Sequence, residues 1–476
     1  MAPFLCFLVQ QHTSRQRVSR EGLVWGLCGG QISSTHLPYS WLKDANLFTP
    51  QRLFGEAWSP PNTLSYEPFL ERARLQREQD CDGSARLALG GYVMARLVDK
   101  LLVLENDAES LEGFRWQLEA VRRHVGELPG DSPETAHLAG VVEAVPQQGP
   151  PTSSLWMSLT AYAYFLEHEG RLEEALELVK LAARSQGTNT SPADFAAYAL
   201  FAGRLNRLLA RWEAASTCYG SAEEAATSVA DHVYALRGRL GRSAVQRGIG
   251  NLPLARELVE SVVREASSQN LPDVQAMAYA DLGAVCELQG LRLEELQAYY
   301  NAFRLASDPS LRMRILGNLG IGLCRIEAYD AARLAFQIVI DSDAKHLDRA
   351  NAALELMDLE SSLGNRVAFE RCRSAVSEVW NRLPPSAATD FQFKLGTGLA
   401  RFGQSGRARE ALEQALGLAE AHRLNAWYFR IEKALEQLSL LQTYEPQHKE
   451  AGDLSHPPVV EEVMLGLREY AAAAEA

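Results

Sequence analysis

The sequence predicts an all-α fold of stacked antiparallel helix hairpins, and three observations carry that prediction. A turn residue followed five positions later by a small side chain recurs every 37 to 40 residues. The composition favours helix, with Ala, Leu, Glu and Arg prominent and aromatics at 8%. Prolines fall between the recurring segments, at Ser191-Pro192, Leu271-Pro272, Asp308-Pro309 and Pro384-Pro385, where one helix closes and another opens. A single hairpin cannot bury its apolar face, so neighbours stack into a solenoid with a continuous core.

The bulk properties narrow the function classes first. Of 476 residues, 47% are hydrophobic and 22% charged, as in a folded chain. The net charge of −13 excludes a generally basic nucleic-acid coat. No run of eighteen apolar residues is long enough to span a bilayer. The apolar stretch from Pro3 to Val9 precedes Arg15, Arg17 and Arg20, the reverse of a signal-peptide order, so a cytoplasmic protein is expected. Seven cysteines lie scattered with no C-x-x-C pair, which reads as reduced thiols; no metal site and no cofactor are expected.

Along the chain, residues 1–65 are rich in Gly, Ser, Pro and Trp and form a poorly determined N-terminal segment. Residues 66–150 are helical but less regular. Gly90-Gly91 followed by Ala95 reads there as another turn with its small residue. Residues 151–444 carry the repeat. Its turn markers are Gly170, Ala210, Gly250, Gly290, Glu327, Gly364 and Gly403; glycine suits a left-handed turn residue. Five residues on stand Ala175, Ala215, Ala255, Glu295, Ala332, Phe369 and Ala408, where a small side chain lets helices approach. Four further on come Val179, Tyr219, Val259, Tyr299, Phe336, Arg373 and Leu412, one helical turn along the same face. Gly283, Gly320 and Gly396 stand seven residues before their turns, on the first helix of the hairpin. The last helix, near 426–441, carries Trp427, Phe429, Ile431, Leu435 and Leu438 and caps the array. Residues 445–476 form a flexible or helical tail, expected to be loosely attached.

The stretches LGAVCELQGLRLEELQAYY and LGNLGIGLCRIEAYDAARLAF carry a resemblance to the tetratricopeptide repeat family over residues 155–442. The period is longer than that family's, and Glu295, Phe369 and Arg373 depart from its pattern. The resemblance implies a right-handed superhelix whose first helices line a concave groove, and a protein- or peptide-binding function. Within 66–144, the stretch from Leu101 to Glu109 and the Ser-Pro-Glu-Thr run from Ser132 to Thr135 are similar to the bacterial transcriptional activator domain. VSREGLVWGLCGG faintly resembles part of a winged helix, so a degenerate winged-helix remnant is expected within 1–65.

Catalytic chemistry is not expected. GNLGIG, from Gly317 to Gly322, lies inside a repeat helix and lacks the lysine of a phosphate loop. There is no G-x-S-x-G elbow. Adjacent acidic pairs such as Glu173-Glu174, Glu223-Glu224 and Glu294-Glu295 diverge by about 100° on a helix and read as solvated faces. The local exception to the acidic balance is a run of arginines. Arg204, Arg207, Arg237 and Arg247, with Arg314 and Arg325 further on, sit on first helices and form a candidate binding groove. Guanidinium forks suit carboxylates and phosphates, so an acidic peptide partner fits. The alternative for these side chains is snorkelling over apolar surface or pairing with nearby Glu. The leading reading is a non-enzymatic scaffold or sensor that binds a protein or peptide, with no membrane partner. The alternative is a bacterial transcription regulator whose repeats sense a signal, DNA being a partner only in that case.

Overall fold

A computed structural model of the chain describes residues 66–78, 81–186, 190–380, 383–422, 424–440 and 457–475. The N-terminal segment 1–65, with its winged-helix resemblance, and the whole 441–456 connection lie outside them. Among the described residues there are twenty helices and no strand. They are α1 (Glu67–Glu78), α2 (Asp82–Leu102), α3 (Ala108–Gly126), α4 (Pro133–Ala144), α5 (Ser153–His168), α6 (Leu172–Gln186), α7 (Pro192–Leu208), α8 (Trp212–Ser228), α9 (His232–Gly248) and α10 (Leu252–Ser268). After these come α11 (Pro272–Gln289), α12 (Arg292–Leu305), α13 (Pro309–Arg325), α14 (Tyr329–Asp341), α15 (His346–Ser362), α16 (Arg366–Glu378), α17 (Pro385–Arg401), α18 (Ser405–Ala421), α19 (Asn425–Leu440) and α20 (Pro458–Glu475). The chain divides into two compact units at Val245 and Gln246, within α9. The odd-numbered helices from α5 to α17 are the first helices of their hairpins.

The turns repeat one geometry. Gly170, Ala210, Gly250, Gly290, Glu327, Gly364 and Gly403 all have φ between 56° and 86°. Ala230 and Asn270 share that conformation, at 56° and 54°. From 210 to 290, therefore, every connection between consecutive helices is built alike, twenty residues apart. In each, the amide after the left-handed residue donates to the carbonyl five residues back: Arg211 to Asn206, Asp231 to Ala226, Asn251 to Gln246, Leu271 to Ala266 and Leu291 to Cys286, at 2.8–2.9 Å. This is the Schellman closure, which satisfies the last carbonyls of the helix. Proline opens α4, α7, α11, α13 and α17 at a first-turn position that needs no amide hydrogen. Ser191 and Asp308 cap two of these helices through Asp194 N (3.1 Å) and Leu311 N (2.6 Å).

Two packing rules set the hairpins. Within a hairpin, the residue seven before the turn meets the residue nine after it. A Cβ on Gly203, Gly283, Gly320 or Gly396 would lie 2.6–2.9 Å from Tyr219, Tyr299, Phe336 or Leu412 respectively. Where the later residue is Val179 or Arg373, the earlier one is Ala163 or Met357. Between hairpins, the residue five after a turn faces the residue five before the next. Ala175, Ala215, Ala255 and Ala332 stand opposite Leu205, Val245, Val285 and Leu359 in this register, all buried. The two large residues in the small position have glycine opposite. A Cβ on Gly398 would lie 2.4 Å from the Phe369 ring, and one on Gly322 would lie 3.3 Å from Glu295 Oε1. The departures at Glu295 and Phe369 are thus matched across the interface.

Two expectations are corrected. Gly90 and Gly91 are not a turn; they sit in the middle of α2. Gly91 admits the Phe69 ring of α1, which a Cβ would approach to 2.5 Å, and Gly90 admits Leu128 and Leu138. The tail does not hang free: α20 seats on α12 and α14 in the C-terminal unit. Its Val460, Val463 and Leu467 are fully buried, Tyr470 meets Phe303 edge-on at 5.1 Å, and Gly466 abuts the Tyr300 hydroxyl. No described helix is long and apolar enough to cross a membrane.

Candidate functional site

Each first helix presents one stripe to its neighbours, made of the residues 16, 13, 9, 6 and 2 before its turn. That spacing of three and four keeps side chains on one face. In the C-terminal unit the stripes run Leu311, Arg314, Asn318, Ile321, Arg325 on α13; Asp348, Asn351, Glu355, Asp358, Ser362 on α15; and Ala387, Asp390, Lys394, Thr397, Arg401 on α17. The contacts confirm that these faces meet. Lys394 Nζ of α17 donates to Glu355 Oε1 of α15 at 2.8 Å and to Asp390 Oδ2 at 2.9 Å. Arg401 donates to Asp358 Oδ1 at 2.6 Å and to Ser361 Oγ at 2.5 Å. Arg430 of α19 lies over the rings of Phe393 (4.1 Å) and Trp427 (4.8 Å).

Burial and charge set the ionisation here. Burial pushes Glu355 and Asp390 upward against the attraction of Lys394. It also acts on Asp358, but Arg401 and Lys394 outweigh it and hold that carboxyl at about 2. Asp348 is pushed up to about 6 by burial, with Arg314 opposing. Among the described residues, Asp348 Oδ2, Asn351 Oδ1, Asp390 Oδ1 and Asn318 Oδ1 on these stripes are buried without a hydrogen-bond partner. A buried acceptor left unmatched costs about 1–3 kcal/mol, so this face carries unused bonding capacity.

The six arginines singled out from the sequence divide between the units. Arg204, on the α7 stripe, donates to Glu167 Oε2 at 2.6 Å and lies over the rings of Phe201 (4.8 Å) and Tyr164 (5.6 Å). Those two rings stack at 4.2 Å. Arg207 is buried nearby and acts electrostatically on Glu167, whose pKa burial raises. Arg237 lies over Tyr234 at 5.5 Å. In the C-terminal unit Arg247 lies 3.8 Å from Asp281, and Arg314 faces Asp348. Arg325 is bonded to both Glu287 and Glu295. Arg239 and Arg242 instead share Glu223 of α8, at 3.0 and 2.9 Å.

Several of these ties repeat at the period of the chain. Arg204–Glu167, Arg211–Glu173, Arg256–Glu294, Arg325–Glu287 and Lys394–Glu355 join residues 37 to 39 positions apart. The acidic pairs are therefore not simply solvated faces. In two of them one member reaches an arginine nearer the surface and the other is buried: Glu174 (4% exposed) on Arg72 and Glu295 (1%) on Arg325. Burial pushes Glu295 up to about 7, with Arg325 lowering and Glu287 raising it. In the N-terminal unit Glu134, from the Ser-Pro-Glu-Thr run, is buried and receives Arg72 (2.8 Å), Arg171 (2.8 Å) and the Tyr162 hydroxyl (2.7 Å).

The sequence reading missed Asp348, Asn351, Glu355, Asp358, Asp390, Lys394 and Arg430. Cation count directed attention to the arginine run near 204–247. Aligning the helices on their turn residues and reading each stripe would have found six of the seven; Arg430, beyond the last aligned turn, shows itself only in three dimensions.

No protein-family model and no curated protein matches the sequence. Among solved structures the chain is similar to the apo form of the quorum sensor NprR from B. thuringiensis, at 14% identity over 74% of this chain and 97% of that one, with a TM-score of 0.42. It is also similar to the Rap conjugation gene regulator of the plasmid pLS20 in complex with the Phr* peptide, at 14% identity over 77% and 99%, TM-score 0.42. The apo form of RapI is a third, at 11% identity over 56% and 97%, TM-score 0.41.

Proposed function

We propose that the chain is a cytoplasmic, non-enzymatic binding protein whose C-terminal unit takes a short peptide along the stripes of α13, α15 and α17. One observation carries the reading. Twelve of the fifteen stripe positions are polar or charged, yet Asp348, Asn351, Asp390 and Lys394 are each at most 7% exposed. A face built only for the core would be apolar, and one built only for solvent would be open. Peptide backbone offers an N–H and a C=O at every residue, which suits amide side chains such as Asn318 and Asn351. Arg314 and Arg325 belong to the same stripe and supply its cationic side. Arg204 and Arg237 stand at the equivalent stripe positions of the N-terminal unit, while Arg207 and Arg247 stand three before their turns, at the ends of α7 and α9.

The likeness of 66–144 to the activator domain is retained as part of this reading. It is supported by Glu134, which makes the Ser-Pro-Glu-Thr run a buried anchor for α1, α5 and the turn between α5 and α6.

The test is selection of displayed random twelve-residue peptides on the immobilised full chain, followed by titration of the recovered sequences against wild type and the Asn318→Ala, Asn351→Ala double variant. Recovered peptides should bind the variant at least tenfold more weakly while its melting curve is unchanged. Equal affinity for both proteins would remove the stripe from the binding site, and recovery of no sequence above bare matrix would sink the peptide reading itself.

A further inference from the structure

Resting on that reading, we infer that the peptide is held through a cationic group, a guanidinium or an ammonium, seated on Asp390 and Asn351 where α17 meets α15. These two residues stand at the same register, thirteen before their turns, on neighbouring helices. Asp390 is fully buried and Asn351 is 7% exposed. Lys394 already occupies Asp390 Oδ2, whereas Asp390 Oδ1 and Asn351 Oδ1 have no partner among the described residues. Asp348, three residues before Asn351 on the same stripe, repeats the pattern through its Oδ2.

The chemistry of the unmatched atoms selects the ligand. On the facing stripes of α15 and α17 they are Asp348 Oδ2, Asn351 Oδ1 and Asp390 Oδ1, all acceptors. Peptide backbone brings one acceptor for every donor, so it would satisfy these oxygens while adding carbonyls that need donors of their own. A guanidinium brings five donors and no acceptor, and an ammonium three and none. Two of the three oxygens belong to carboxylates, and charge-assisted bonds to a buried carboxylate are roughly twice as strong as neutral ones. The partner is thus basic at this point.

The experiment uses the peptides recovered from the selection above, resynthesised with each Arg and Lys replaced singly by norleucine, and with the amino terminus free or acetylated. Binding is measured to the full-length wild type and to Asp390→Asn and Asp348→Asn, each first shown to melt as wild type does. One cationic position should cost at least tenfold when neutralised in wild type. That loss should shrink to threefold or less in Asp390→Asn. If acetylation rather than a norleucine substitution causes the loss, the seated group is the terminal ammonium and the inference stands. If the peptides bind at the stripe yet tolerate every neutral replacement, or the penalty is the same in Asp390→Asn, the cation seat is wrong and the peptide reading survives. If no peptide is recovered, both fall together. The variant Asp390→Glu keeps the charge; retention of the cationic preference there excludes a merely structural role for Asp390.

Discussion

Exchanging Phe369 and Gly398 for the pair used one hairpin earlier tests the packing rule between repeats. Ala332 and Leu359 are buried in the same register as Phe369 and Gly398, with the sizes reversed. Phe369→Ala alone empties a fully buried aromatic site, which costs about 3–5 kcal/mol. Gly398→Leu alone drives a Cβ to 2.4 Å from the ring. Overpacking of that kind costs about 1–3 kcal/mol or more, offset by roughly 1 kcal/mol for replacing a mid-helix glycine. If the sites were independent, the double variant would lose about 3–7 kcal/mol. If the register is one contact, the leucine fills the space left by the ring, and the double variant should lie within about 1.5 kcal/mol of wild type, since volume-conserving swaps are cheap. Unfolding of a chain with two units need not be two-state. The suitable assay is native-state hydrogen exchange read over α16, α17 and α18, which reports the local opening free energy. Additivity of the two single variants to within about 0.5 kcal/mol would refute the rule.

Three further outcomes follow from the geometry. Glu295 has its folded pKa raised to about 7 from an ordinary 4.5 by burial, so its contribution is fully present below about pH 4.5 and is lost as pH rises through 7. Exchange protection of α12 and α13 should fall by on the order of 3 kcal/mol across that window, and Glu295→Gln should flatten the dependence; an unchanged slope would show that Glu287 or another group carries the proton. Arg325→Met leaves Glu287 and Glu295 buried without their shared cation and should destabilise the same helices at pH 8 by about 3–5 kcal/mol, a loss that the added changes Glu287→Gln and Glu295→Gln largely restore. Glu327→Gly relieves a non-glycine residue held at φ 65° and should raise the melting temperature, by up to about 1 kcal/mol of stability after glycine's own entropy cost; a lower melting temperature would mean that the Glu327 side chain matters more than its backbone.

How far the sequence exposes this molecule depends on which interactions are periodic. The left-handed turns were legible because glycine marks most of them, and the spacing then identified Ala210 and Glu327 as the same position without glycine. Ala230 escaped that reading since alanine does not announce a left-handed backbone, and Asn270, a residue type that tolerates one, since it falls off the spacing that glycine marks, although both lie midway between marked turns. The compensations at Gly322 and Gly398 were hidden for a different reason. Each joins residues in successive hairpins, so a pattern read within one repeat shows a violation at Glu295 or Phe369 and not its remedy. The same limit applies to the candidate site. Arginines draw attention as a cluster in sequence, but several are tied to an acid about one period away. The polar stripe of α13, α15 and α17 has no cluster in sequence; its members become neighbours only when the helices are laid side by side at their turns. Once Lys394 is placed beside Glu355 and Asp390, the oxygens left over at Asp390, Asn351 and Asp348 follow from counting donors against acceptors. A helical repeat keeps its fold in the residues that recur, and the residues that fail to recur, on the face where recurrence is not needed for stacking, are where a ligand can be chosen.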